Sequence, residues 1–262
     1  MPDQSGGFIW YELMTTDPEG AKAFYEPVVG WSMTTGHGDN DAYGFLTAPD
    51  GAMVGGLLRL TGEMTGGGAK PCWLGYIAVG DVDQAVRNVE GKGGKCLMPA
   101  RDVEMAGRIA MVADPGGAPF YVMTPKPPPG SEGESTAFAA AKNHGHCGWN
   151  ELMAADAARE IGFYTGLLGW SLPEPMDMGP MGKYQFVAHD GVTIGAIMRT
   201  MPEAPEPHWN HYFWVPSIEQ AKSAIEANRG RVTNGPMQVP GGDWIVQGTD
   251  PQGAAFSLVG GK

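Results

Sequence analysis

Residues 10–33 of this chain read WYELMTTDPEGAKAFYEPVVGWSM, and residues 149–172 read WNELMAADAAREIGFYTGLLGWSL. Ten of these 24 aligned positions are identical, without a gap. The echo returns near the end of each half, as DPGGAPF at 114–120 and DPQGAAF at 250–256. Repetition on this scale means that one structural plan is built twice. Agreement between the copies reports shared scaffold or shared chemistry, and difference reports separate work.

Each copy reads as strand, helix and strands, then the same again. Phe8–Met14 alternates as a strand does. Thr16 or Asp17 then caps a helix whose first turn holds Pro18. Ala21, Phe24, Tyr25, Val28 and Val29 form its apolar stripe, and Gly30 ends it. Tyr43–Ala48 and Ala52–Leu60 read as a hairpin around Pro49-Asp50-Gly51. A second unit follows: a strand over Cys72–Val79, a helix over Val82–Glu90, and strands over Lys95–Leu97, Arg108–Ala113 and Pro119–Met123. The second half repeats this with a strand over Cys147–Met153 and a helix over 156–168. Strands near 184–189 and 192–199, a strand over His208–Val215 and a helix over 217–228 come next. Strands near 231–233, 243–248 and 254–259 complete it.

Residues 125–134, PKPPPGSEGE, cannot continue a sheet and read as a stiff linker, with Phe138–Lys142 a short helix or packed strap. The expected domains are therefore residues 1–125 and 144–262, joined by 126–143. At 262 residues and 42% hydrophobic content, each half is long enough to bury its own core. A net charge of −12 opposes nonspecific binding to nucleic acid or anionic membrane. No apolar run is long enough to span a bilayer, and the N-terminus lacks the pattern of a secretory signal. Cys72, Cys96 and Cys147 read as free thiols in a cytoplasmic protein.

This pattern resembles the vicinal oxygen chelate superfamily, which holds glyoxalases, bleomycin-resistance proteins and extradiol dioxygenases. The carriers are the opening strand with its Asp, Phe24-Tyr25 and Phe163-Tyr164, Gly30-Trp31 and Gly169-Trp170, and the terminal DPxGAxF. The likeness is greatest to a two-domain subgroup whose strands open with Trp-x-Glu-Leu. The resemblance implies an α+β fold of four βαβββ units, paired into two domains with half-open mixed β-barrels and a ligand on the concave side. A chain that already carries its own partner is expected to be a pseudo-dimeric monomer or a homodimer.

Metal-using relatives place a His or Glu at about four strand positions per site. Carried over one at a time, these positions fall on Trp10, Gly56, Leu74 and Tyr121 in the first half. In the second they fall on Trp149, Ala196, Asn210 and Ser257. A shift of one residue offers Gly75 or His211 at the third position. Neither half therefore presents three ligands, and no cofactor is expected. His208 and His211 are the remaining metal candidates, but their odd spacing on a strand turns the rings to opposite faces. His144 and His146 read as rim residues. A site built on Glu151 and a histidine from elsewhere is the lesser alternative.

Glu12 and Glu151 recur two residues beyond Trp10 and Trp149, on the same face by strand alternation. A carboxylate among aromatics must be hydrogen-bonded, and such burial suits general acid–base work. The catalytic candidates are accordingly Glu12, Glu151, Tyr76 and Tyr212. A structural reading stays open, in which each Glu ties the first strand to a backbone amide or to Tyr76 or Tyr212. Trp10, Trp149, Tyr43, Tyr121, Tyr184, Asn210 and Trp214 are the candidate ligand-binding residues, and Trp31, Trp170, Phe24 and Phe163 read as core. The Met-rich loop 176–181 differs from its polar counterpart at Thr34–Asn40, which contains His37. Arg59 and Arg199 end equivalent strands and read as rim residues. Gly66-Gly67-Gly68 precedes no helix and reads as a linker. Together these residues point to a binder of a small, largely apolar or aromatic metabolite. The alternatives are an isomerase, lyase or hydrolase of the same fold and, behind them, a divalent-metal dioxygenase.

Overall fold

The computed structural model describes residues 5–36, 43–126, 135–200 and 206–262. His37 and most of the Pro-rich linker lie outside these residues. The first half runs β1 (Phe8–Thr15), α1 (Pro18–Val29), β2 (Ser32–Met33), β3 (Tyr43–Thr47), β4 (Met53–Arg59) and α2 (Gly62–Gly66). It continues with β5 (Cys72–Ala78), α3 (Val82–Gly91), β6 (Lys95–Val103), β7 (Gly107–Ala113) and β8 (Pro119–Pro125). The second half runs β9 (Cys147–Ala154), α4 (Ala157–Leu168), β10 (Met176–Asp177), a 3-10 turn at Gly179–Met181, β11 (Lys183–His189) and β12 (Val192–Arg199). Then come β13 (His208–Ser217), α5 (Ile218–Ala227), β14 (Arg231–Gln238), β15 (Trp244–Thr249) and β16 (Ala255–Gly261).

The repeated helix starts as its residues dictate. Asp17 Oδ1 accepts from the Gly20 amide at 3.0 Å, and Asp156 Oδ1 accepts from the Arg159 amide at 3.2 Å. Each cap meets a donor that the first turn would otherwise leave unpaired. Both helices end on a left-handed glycine, Gly30 at φ 90° and Gly169 at φ 70°. A side chain there would meet the steric penalty of that region.

The strands form two eight-stranded mixed sheets, β2-β3-β4-β1-β5-β8-β7-β6 and β10-β11-β12-β9-β13-β16-β15-β14. Among the described residues each sheet draws its strands from one half, and no strand is exchanged. Each ends on two different edge strands and is not a closed barrel. Hairpins pair antiparallel, whereas β1 with β4 and β5 with β8 pair parallel. This confirms the expected α+β plan. Residues 66–68 do lead into a strand and not a helix, but Gly66 itself closes a short helix, α2, whose Thr61 cap accepts from the Met64 amide at 3.2 Å. The edge strands β6 and β14 run further than their alternating patterns foretold.

The chain packs as two compact units. The first contains Met1–Ile9, Gly75–Ser135 and Asn150–Trp209; the second contains Trp10–Leu74, Thr136–Trp149 and Asn210–Lys262. Each unit thus takes segments from both halves of the sequence. In the second unit, Tyr25, Trp31, Trp73 and Phe213 form an aromatic cluster, with Phe24 edge-on to Phe256 at 5.4 Å. Trp31 Nε1 donates to the Gly145 carbonyl at 2.7 Å. In the first unit Tyr164, Trp170 and Trp209 pack together, and Trp170 Nε1 donates to the Gly6 carbonyl at 2.7 Å. All four expected core residues, Phe24, Trp31, Phe163 and Trp170, are buried. Among the described residues no helix is long and apolar enough to cross a membrane.

Candidate functional site

Strand alternation puts Trp10 and Glu12 of β1 on one face and Tyr11 and Leu13 on the other. In the second unit, Trp10 Nε1 donates to the Tyr43 hydroxyl at 3.1 Å. Tyr43 in turn lies over Gly56: a Cβ added at Gly56 would stand 1.9 Å from the Tyr43 oxygen. Glu12 is buried, and β4 sets Gly56 directly beside it. Cys72, the first residue of β5, has its thiol pushed up to about 11 by burial and then by the Glu12 charge.

The equivalent tyrosine in the other half, Tyr184, bonds the carboxylate of β9. In the first unit Tyr184 donates to Glu151 Oε2 at 2.7 Å, and β12 sets Ala196 beside Glu151. Glu151 is half-buried, unlike its deeply buried counterpart Glu12. Asn150, on the opposite face, donates to the Ile194 carbonyl at 3.0 Å and is structural.

Tyr76 and Tyr121 are neighbours on β5 and β8 and stack at 4.2 Å with an interplanar angle of 13°. In the second unit, Tyr212, Trp214 and Val259 form a buried cluster, with Trp149 and Ile245 packed against it. The Tyr212 hydroxyl accepts from Gln247 Nε2 at 2.8 Å. Asn210 precedes Tyr212 by two residues and shares its face. Trp214 Nε1 lies 3.4 Å from the Ala139 carbonyl, and Lys142 Nζ lies 5.7 Å from the Trp214 ring centre. Residues 137–142 are therefore a packed strap, held by backbone bonds between Cys147 and residues 137 and 139.

His146 is buried, with one ring nitrogen at the Thr136 carbonyl and the other 3.0 Å from Asp50. It ties the start of β9 to the Pro49-Asp50-Gly51 turn. His208 Nδ1 lies 2.8 Å from the Glu206 carbonyl, and His211 packs edge-on to Tyr11 at 4.9 Å. His211 thus shares the face of Tyr11, away from that of Trp10 and Glu12.

The donor set does not fit the metal pattern of the resembled family. Tryptophan Nε1–H only donates, and in Trp10 it is spent on Tyr43. The Tyr43 oxygen fills the space that a side chain at Gly56 would need. Leu74 and Ala196 are buried and apolar, and Tyr121 is stacked. Among the described residues no three His, Cys, Asp or Glu side chains come together as a metal would require.

Two surface cavities lie away from these residues. One, about 220 Å³, lies in the first unit beside Ser5, Gly80 and Gln84. The other, about 310 Å³, lies in the second unit beside His144, Pro216 and Gln220. They occupy matching places in the repeat. Neither holds a cluster of chemically active side chains.

A family model described as Glyoxalase/Bleomycin resistance protein/Dioxygenase superfamily matches residues 7–122 and again 144–258. CFP32 of Mycobacterium tuberculosis, provisionally named a glyoxylase, is 30% identical over 95% of this chain and 93% of its own length. The anthracycline biosynthesis protein DauV of Streptomyces sp. strain C5 is 31% identical over 97% and 93%. Among solved structures, the Mn(II)-bound glyoxalase of Novosphingobium aromaticivorans superposes with a TM-score of 0.65 at 16% identity, covering 98% of this chain and 82% of that one. The 2,3-dioxygenase LapB of Pseudomonas sp. KL28 gives a TM-score of 0.62 at 19% identity, covering 97% and 91%. At these identities the structural likeness is one of fold.

Proposed function

Because the chain belongs to the Glyoxalase/Bleomycin resistance protein/Dioxygenase superfamily, we propose that it binds a small, planar, largely apolar metabolite without the family's metal. The observation that carries this reading is the wall formed by Trp149, Tyr212, Trp214, Val259 and Ile245. It is a buried aromatic cluster edged by the partly exposed Trp149 and Ile245, and aromatic side chains with a few polar tips are how protein sites hold flat aromatic ligands. The name of DauV, an anthracycline biosynthesis protein, supports a ligand of the fused-ring aromatic class. Sequestration or delivery of such a compound needs no metal and no nucleophile.

The test is a fluorescence titration with a fused-ring probe, 1,8-dihydroxyanthraquinone, backed by native mass spectrometry of the purified protein. Saturable quenching is expected, with binding weakened at least tenfold in Trp149→Ala. Unsaturable quenching, or unchanged affinity in that variant, overturns the reading.

A second reading is acid–base catalysis on the same fold, as an isomerase, lyase or hydrolase. The 2.7 Å bond from Tyr184 to Glu151 favours it. A half-buried carboxylate held by a phenol is oriented to take a proton from carbon or oxygen and return it elsewhere. Glu151→Gln would then abolish turnover while sparing binding, and unchanged turnover removes the role.

A further inference from the structure

One cross-strand row differs between the halves at three of its four positions. In the first half the row is Met98, Met111, Tyr121 and Tyr76, each residue pairing with the next across the sheet. In the second it is Asn234, Gln247, Ser257 and Tyr212, paired in the same way. The first row holds two thioethers and a stacked tyrosine pair. In the second, every member bears a side-chain hydrogen-bonding group.

The second row is ordered by its own bonds. Asn234 Nδ2 donates to Gln247 Oε1 at 3.0 Å, and Gln247 Nε2 donates to the Tyr212 hydroxyl at 2.8 Å. This chain fixes which end of the Gln247 amide faces Tyr212. Ser257, between Gln247 and Tyr212, is 1% exposed, and its hydroxyl has no hydrogen-bond partner among the described residues. A buried hydroxyl left unmet is costly, and native proteins keep few of them. Across the same face, Trp149 packs against Tyr212 and Trp214.

We propose that Ser257, with Gln247 and Tyr212, forms a hydrogen-bonding subsite in the second half that reads a carbonyl or phenol oxygen on a planar ligand. This rests on the binding function argued above and makes it more specific. The apolar wall holds the ring system of the ligand, and the row selects the oxygenated ring over the bare hydrocarbon. Tyr121 stands where Ser257 would be in the first half, so that half lacks the subsite.

The experiment measures the affinity of the full chain for 1,8-dihydroxyanthraquinone and for anthracene in the same cosolvent. The wild-type protein is expected to prefer the oxygenated probe at least tenfold. Ser257→Ala and Gln247→Met are each expected to reduce that preference about five- to tenfold while leaving anthracene affinity unchanged. Met111→Leu, at the place in the first row that Gln247 takes in the second, is expected to leave the preference as it was. Gln247 is half-buried, so Gln247→Met carries the test even if Ser257→Ala fails to fold. An unchanged preference in both variants, or no preference in wild type, overturns the subsite while the binding function stands. Failure of wild type to bind either probe overturns both.

Discussion

The Tyr25 hydroxyl donates to Asp250 Oδ2 at 3.1 Å, joining the Phe-Tyr pair of the first half to the Asp-Pro turn of the second. The reciprocal bond, Tyr164 to Asp114 Oδ2, is also 3.1 Å. Each tyrosine also accepts from a tryptophan, Trp73 in one case and Trp209 in the other. Each aspartate is held by backbone amides of its own turn, including those of Ala254 and Ala118. The two repeated motifs are therefore halves of one buried lock, made twice.

Removing either hydroxyl leaves a buried tryptophan N–H and a buried carboxylate oxygen each short of a bond. Tyr25→Phe and Tyr164→Phe should each cost about 1–3 kcal/mol, the usual penalty for buried polar groups that lose a partner. Urea unfolding followed by circular dichroism checks this. Losses of a few tenths of a kcal/mol would show that the Tyr–Asp bonds do not hold the modules.

Gly56 is required by Tyr43. A methyl group at Gly56 would clash with the Tyr43 ring and hydroxyl, so Gly56→Ala should expel that side chain and break its bond from Trp10. The expected cost is about 1–3 kcal/mol, as for other overpacking substitutions. The Trp10 environment should change with it. Gly56→Ala in a Tyr43→Ala background should cost much less, because the clash is gone. Equal costs in the two backgrounds would refute the packing argument.

Much of this was legible in the sequence, and the rest was hidden for physical reasons. Helix caps at Asp17 and Asp156, glycine stops and strand alternation all act locally, so residue order reveals them. The elements β2, β10 and α2 are two to five residues long and leave too little periodicity to read. The Tyr–Asp lock was invisible because either Asp-Pro turn is an equally good partner for either tyrosine until the modules pack. Alternation did place Trp10 with Glu12 and His208 opposite His211. It did not show that Tyr43 accepts from Trp10, or that Tyr184 donates to Glu151. Gln247 escaped notice because its value comes from its register partners, Ser257 and Asn234.

Burial raises the Asp114 carboxyl above its ordinary range despite the Ala118 amide bond. It raises Asp250 in the same way. Burial also raises Glu160, and the bond from Arg159 offsets part of this. A carboxyl raised in the folded state binds more protons there than in the unfolded chain. Its stabilisation is complete below the unfolded value, about 4, and is lost as pH rises through the folded value. Asp50, lowered chiefly by the Ala52 amide, acts in the opposite sense, stabilising above its unfolded value. It is largely exposed, so its share is small. Glu160→Gln should therefore flatten the decline in stability as pH rises above the unfolded carboxyl value, about 4. A pH series of urea midpoints decides it, and an unchanged slope refutes it.

The three cysteines provide a probe of Glu12 that needs no ligand. Cys147 is buried and its thiol is pushed up to about 12, chiefly by burial. Cys72 is raised to about 11 by burial first and by the Glu12 charge second. Cys96, only half-buried on the edge strand β6, is raised by burial and then by Glu90. Only the thiolate attacks a disulfide reagent, so access and thiolate fraction set the rate. With an aromatic disulfide reagent at pH 8, Cys96 should react first, and Cys147 only as the protein unfolds. Glu12→Gln removes the charge that opposes the Cys72 thiolate, so it should speed Cys72 labelling severalfold while leaving Cys96 unchanged. Mass spectrometry of the labelled peptides assigns each site. Equal acceleration at Cys96 and Cys147 would mean that the substitution had loosened the fold, and no acceleration at Cys72 would mean that Glu12 is not ionised beside it.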